Sequence, residues 1–220
     1  MKRIKELIIL GVLISCLSAC TANVQKEKVE QDQDFREANS LEDQGDEWDN
    51  YVEDFSAYDF TREMNATVND RHFEAEEAPE NVVEELVFDR YYYDIKGEFD
   101  QFADIYGEIE ALKISARNTK KKFEEGAYIK EYVIHSLSTW SKEEFQNSDY
   151  VEIHILKDDV LKYQLSSFAI VQVDISMALS QAALERGPQL GDGEYTRGFL
   201  CGKKTDDDIW KIYNIYWIDE

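Results

Sequence analysis

Residues 127–140 read AYIKEYVIHSLSTW, and the spacing of their apolar side chains decides the fold class. Before this stretch apolar residues recur every three or four positions; from here on they mostly recur every two. A period of two predicts a long strand, with Ile129, Val133 and Leu137 on one face and Tyr132 and Ile134 on the other. Helices first and long antiparallel strands afterwards predict an α+β fold.

Working upstream, Val83, Leu86, Val87 and Tyr91 repeat on one helical face, with Pro79 placed in the first turn and Gly97 interrupting the pattern. A second helical piece carries Phe99, Phe102 and Tyr106 and stops at Gly107. A third runs through Ile109, Leu112, Ala116 and Phe123 to Gly126, with Lys120, Lys121 and Lys122 near its end, where positive charge is favoured. Downstream, Ser141 and Glu144 make a capping box for a short helix. Residues 149–165, DYVEIHILKDDVLKYQL, fit strand and helix, with helix preferred. FAIVQVDISM, 168–177, is a strand with Ala169, Val171, Val173, Ile175 and Met177 on one side. EYTRGFLCG and IWKIYNIYWI follow as two strands joined by a polar hairpin loop, Lys203–Asp208.

In this order of elements residues 79–218 resemble the nuclear-transport-factor-two-like superfamily, also described as a cystatin-like cone. The resemblance implies N-terminal helices packed on a curved antiparallel sheet. Within that superfamily ISARNTKKKFEEGAYIKEYVIH (114–135), GPQLGDGEYTRGFLCGKK (187–204) and WKIY (210–213) are similar to a family of lipoproteins from Gram-positive bacteria. That likeness brings no catalytic residue to transfer.

The N-terminus fits such an address. Lys2, Arg3 and Lys5 precede an apolar run from Leu7 to Leu17, the pattern of a secretory signal over residues 1–19. The run is far shorter than the ~20 residues that a membrane-spanning helix needs. Leu17-Ser18-Ala19-Cys20 resembles a lipobox, which implies a diacylglyceryl thioether on Cys20 and cleavage just before it. Two acyl chains give stable anchoring where one does not. The expected location is the outer face of the cell membrane, with the bilayer as a partner through Cys20. Cys16 leaves with the signal, so Cys201 is the only remaining thiol and no intramolecular disulfide is available.

Charge narrows the partners further. The formal net charge is −23, and removing residues 1–19, with three positive groups and one negative, leaves −25. Such a balance excludes nucleic acid as a direct partner. Residues 21–80 hold nineteen acidic and five basic side chains, so residues 20–78 are expected to be a flexible acidic tether. Within it, EWDNYVEDFSAYDF (47–60) spaces Trp48, Tyr51, Val52, Phe55 and Tyr58 as a short amphipathic helix able to dock. The folded domain is expected to span residues 79–220 and to fold alone when cut near Ala78.

The chemistry-bearing candidates lie on strands. Glu131, His135, Asp174, Arg197 and Asn214 sit opposite apolar faces, and Asp174 with Arg197 would orient a polar ligand if they shared a concave face. The alternative is that all five occupy the solvated side of the sheet. GPQLGDG lacks the lysine of a P-loop and the spacing of a dinucleotide loop, and reads as a turn. His72, His135 and His154 show no metal-binding spacing, and no cofactor motif is present. These features predict a non-enzymatic module that binds a small ligand or an envelope protein. The alternative is a small pocket enzyme using a strand carboxylate for acid–base work.

Overall fold

Asn81 starts the first helix, and with it the layer that covers the sheet. In the computed structural model, which describes residues 48–148, 151–206 and 208–218 apart from the side chains of 151–155, helix α1 spans Val82–Lys96. The Asn81 side chain accepts from the backbone N–H of Val83 and Glu84, and Gly97, left-handed at φ 73°, closes the other end. Pro79 therefore stands outside the helix, because the capping amide two residues on fixes where it begins. Helices α2 (Phe99–Asp104) and α3 (Glu110–Glu124) follow, and Gly126 after α3 is again left-handed at φ 77°. Residues 1–19, Cys20 and the tether as far as residue 47 lie outside the described residues.

The sheet has six strands in chain order: β1 (Asn65–Val68), β2 (Arg71–Ala75), β3 (Ile129–Thr139), β4 (Ser167–Leu179), β5 (Gly193–Lys203) and β6 (Lys211–Trp217). All neighbours are antiparallel except β2 and β3, so the expectation of a wholly antiparallel sheet is corrected to a mixed, open one. The reason is β1 and β2. They form a hairpin from residues assigned to the tether, and β2 then crosses over through the three helices to lie beside β3. Helices α4 (Lys142–Asn147) and α5 (Val151–Tyr163) join β3 to β4, and α6 (Gln181–Glu185) joins β4 to β5. The Ser141–Glu144 capping box is present at α4. No described helix is long and apolar enough to cross a membrane.

Core packing explains why residues expected in the tether belong to the domain. Phe73 and Ala75 of β2 are buried with Val83, Val87, Phe88 and Tyr91 of α1 and with Val171, Val173 and Ile175 of β4. Phe73 meets Phe88 edge to face at 4.9 Å and Tyr92 at 5.6 Å. Arg71 is 2 % exposed and pairs with Asp94 of α1 at 2.7 Å. Residues 50–52 dock as well, on the other face. β3 ends at Thr139, which leaves the backbone of Phe168 on β4 unmatched on that side. Asn50 and Val52 fill the place: Phe168 N–H donates to Asn50 O and Val52 N–H to Phe168 O. Tyr51 stacks on Phe145 at 5.0 Å and meets Phe168 at 5.1 Å. Residues 51–60 thus form no helix, and residues from Asn50 onward make one compact unit.

Two register shifts in β3 reverse part of the expected alternation. They fall between Ile129 and Glu131 and between Ile134 and Ser136, so Lys130 and His135 are extra residues in the ladder. Tyr132, Ile134 and Leu137 consequently share the core face, with Ile129 packed against it. β4 keeps its predicted alternation without interruption. At the other end of the sheet, residues 105–107 cover the outer edge of β6: Ile212 N–H donates to Ile105 O, and Gly107 N–H to Ile212 O.

Arg62, just before β1, ties that segment to α1 through Glu85 at 3.1 Å and Asp89 at 3.0 Å. Burial raises the Asp89 carboxyl to about 6 despite the pull of Arg62. Its value in the unfolded chain is ~3.9. The folded state therefore holds a proton that the unfolded state has released, and the contribution is greatest below about pH 4 and lost as pH rises through about 6. Melting temperatures measured from pH 4 to 7 should fall for the native chain and fall less for Asp89→Asn. Parallel curves for the two would refute this assignment.

Candidate functional site

The core face of the sheet is not completely filled. Between it and the helices lies a cavity of about 610 Å³, within the ~300–1,000 Å³ typical of small-ligand sites. Its floor is Tyr132 of β3, Ile175 and Met177 of β4, Tyr195 and Arg197 of β5 and Ile215 of β6. Its walls are Arg90, Tyr91 and Asp94 of α1, Phe102 of α2, Thr119 and Lys122 of α3, and the loop 186–190 after α6. Arg90, Tyr91 and Asp94 reach it together because residues three and four apart share a helix face.

Four cationic side chains line this cavity, Arg90, Lys122, Arg186 and Arg197, against the single carboxylate of Asp94. Asp94 is already engaged. One oxygen accepts from Arg71 at 2.7 Å and the other from the Tyr132 hydroxyl at 3.2 Å. Arg186 pairs with Glu125 at 2.7 Å. Arg197 stacks on Trp217, its guanidinium carbon 3.7 Å from the ring centre. Arg90 lies 4.5 Å from the Tyr91 ring and 5.9 Å from that of Phe102. Among the described residues no carboxylate stands within ion-pair distance of Arg90, and its buried Nε has no hydrogen-bond acceptor. Burial pushes the phenols of Tyr91 and Tyr132 above their usual range, Asp94 adding to the effect at Tyr132, so both stay neutral.

Of the five residues singled out from the sequence, Arg197 alone lines the cavity. Asp174 stands between Val173 and Ile175, which face α1, so its own side chain points to the opposite face of the sheet. There it accepts from Ser136 and Thr196, both at 2.7 Å. Its expected pairing with Arg197 is corrected, since Arg197 is registered with Val173. His135, the bulged residue, lies 3.0 Å from Glu76 and 2.7 Å from the Ser176 hydroxyl. Asn214 donates to Asp159 of α5 at 2.7 Å, and Glu131 is exposed.

Arg90, Arg186 and the tyrosines went unnoticed in the sequence, although Arg90 carried a signal. It falls three residues after Val87 and four after Leu86, on the apolar stripe of α1, where a charge has no ordinary place. GPQLGDG forms the loop between α6 and β5, and Gly187–Leu190 also wall the cavity. Cys201 is buried and burial raises its thiol well above the usual range, so it is a core side chain. Among the described residues no group of three or more His, Cys, Asp or Glu side chains is gathered to hold a metal ion. Comparison of the chain with protein-family models, with curated proteins and with solved structures finds no match.

Proposed function

We propose that the chain is a lipid-anchored, non-enzymatic binding module of nuclear-transport-factor-two-like type on the outer face of the cell membrane, and that the cavity beneath α1 takes its ligand. The observation that carries this reading is the cavity itself: an apolar and aromatic hollow with convergent polar groups, left open in an otherwise well-filled core. The acid–base alternative loses its residues, because Asp174 points to the opposite face and Glu131 is exposed. Asp94, the carboxylate that does line the cavity, is held between Arg71 and Tyr132 and serves as structure.

The anchor rests on the lipobox-like Leu17–Cys20 and the charged-then-apolar residues before it. Cells fed a clickable fatty acid should tag the native chain. Cys20→Ala should abolish the tag and release or mis-process the protein. A Cys20→Ala chain that stays labelled and membrane-bound would sink the anchoring reading and leave the cavity reading untouched.

A further inference from the structure

The cavity carries a charge that its occupant must answer. We propose that its ligand is an amphipathic organic anion, with a carboxylate or phosphate head against Arg90 and Arg197 and an apolar body along Phe102, Ile175, Met177 and Ile215. This rests on the cavity being the ligand site, as argued above.

The positive lining runs against the composition. A chain of net charge −23 repels anions at long range, yet four cationic groups line this cavity, and although Arg186 pairs with Glu125, the one lining carboxylate is already engaged elsewhere. Buried charges are ordinarily paired. Arg71 shows the ordinary arrangement, with Asp94 at 2.7 Å. Arg90 departs from it: no carboxylate stands within ion-pair distance of it among the described residues, and its Nε is buried without an acceptor. The rings of Tyr91, Phe102 and Phe199 lie within 5.9 Å, and the neutral Tyr106 hydroxyl is its side-chain hydrogen-bonding neighbour. Ring faces stabilise a cation without neutralising it. They also hold the planar guanidinium in a fixed orientation, which suits a two-point contact with a carboxylate or phosphate. Arg197, flat on Trp217, is set in the same way on the floor. A bare inorganic ion would leave the apolar floor uncovered, and a neutral apolar molecule would leave Arg90 unanswered.

Calorimetric titration of the full chain in lipid nanodiscs, with empty nanodiscs as the reference, tests this with octanoate, octyl phosphate, 1-octanol and inorganic phosphate. One of the two octyl anions should bind about ten-fold or more tightly than octanol, as expected for a charge-assisted hydrogen bond. Which of the two wins tells a carboxylate head from a phosphate head. Inorganic phosphate should bind about ten-fold more weakly than octyl phosphate. Arg90→Met should erase the preference for acid over alcohol, and without ligand it should melt no lower than the native chain, since it removes a buried charge that no ion pair balances. Equal binding of octanol and the octyl anions would overturn the charge assignment while sparing the cavity as a site. No binding by any of the four would overturn both. Inorganic phosphate matching octyl phosphate would overturn the amphipathic character. A preference for acid surviving in both Arg90→Met and Arg197→Met would place the anion elsewhere and overturn the proposal. Should Arg90→Met fail to fold, the four-ligand comparison on the native chain still decides.

Discussion

A chain cut to begin at Pro79 is expected to lose its cooperative melting transition and its near-ultraviolet circular dichroism, whereas one beginning at residue 48 should keep both. The cut removes β1 and β2, the Arg71 partner of Asp94, and the Tyr51 ring that Phe145 and Phe168 enclose. Phe73 is fully buried, and deleting one such ring costs about 3–5 kcal/mol. Tyr51 is of similar size and 7 % exposed. Two losses of that order, with Asp94 left unpaired beside them, match a whole domain's stability of about 5–15 kcal/mol. A sharp transition from the Pro79 chain, within a few degrees of that of the longer one, would show that the first two strands are an accessory.

The second large effect is expected at Asp94. Asp94→Ala leaves Arg71, 2 % exposed, without the carboxylate that balances its charge, and breaking a buried pair from one side typically costs about 3–5 kcal/mol. For a domain of this length that is a fall of about ten degrees in melting temperature. The same change frees the Tyr132 hydroxyl, which donates to Asp94 at 3.2 Å. Asp94→Ala combined with Arg71→Met should recover much of the loss, because it removes the stranded charge. If the double variant melts as low as the single one, the damage comes from lost packing, and the ion pair is not the cause.

How far the sequence could be read depends on whether a pattern is local. The helical stripes ending at Gly97 and Gly126 are contiguous and capped, and they appear where the spacing puts them. β4 alternates without a break, so its core residues were legible one by one. β3 was found but its faces were not, because the shifts at Lys130 and His135 break a period that counting assumes is unbroken. A residue's face also decides whether it meets the cavity, and strand spacing alone does not say which face the helices cover, so four of the five candidates lie away from it. The β1–β2 hairpin was hidden for another reason. Arg71–Ala75 is short, charged and set among acids, and its apolar partners arrive only after the whole helical layer. The cavity shared that difficulty, since α1, α2, α3, four strands and the loop after α6 all contribute to it.

The open sheet also bears on recognition by another chain. An unclosed sheet usually offers its rims for strand addition, in which a peptide or a second copy extends the hydrogen-bonded ladder. Here one rim is β1, only four residues long, and at the other Ile212 already exchanges hydrogen bonds with residues 105–107. The first rim is short and the second is partly covered, which limits the template on either side. Two such rims make this acidic chain a poor template for stacking into aggregates.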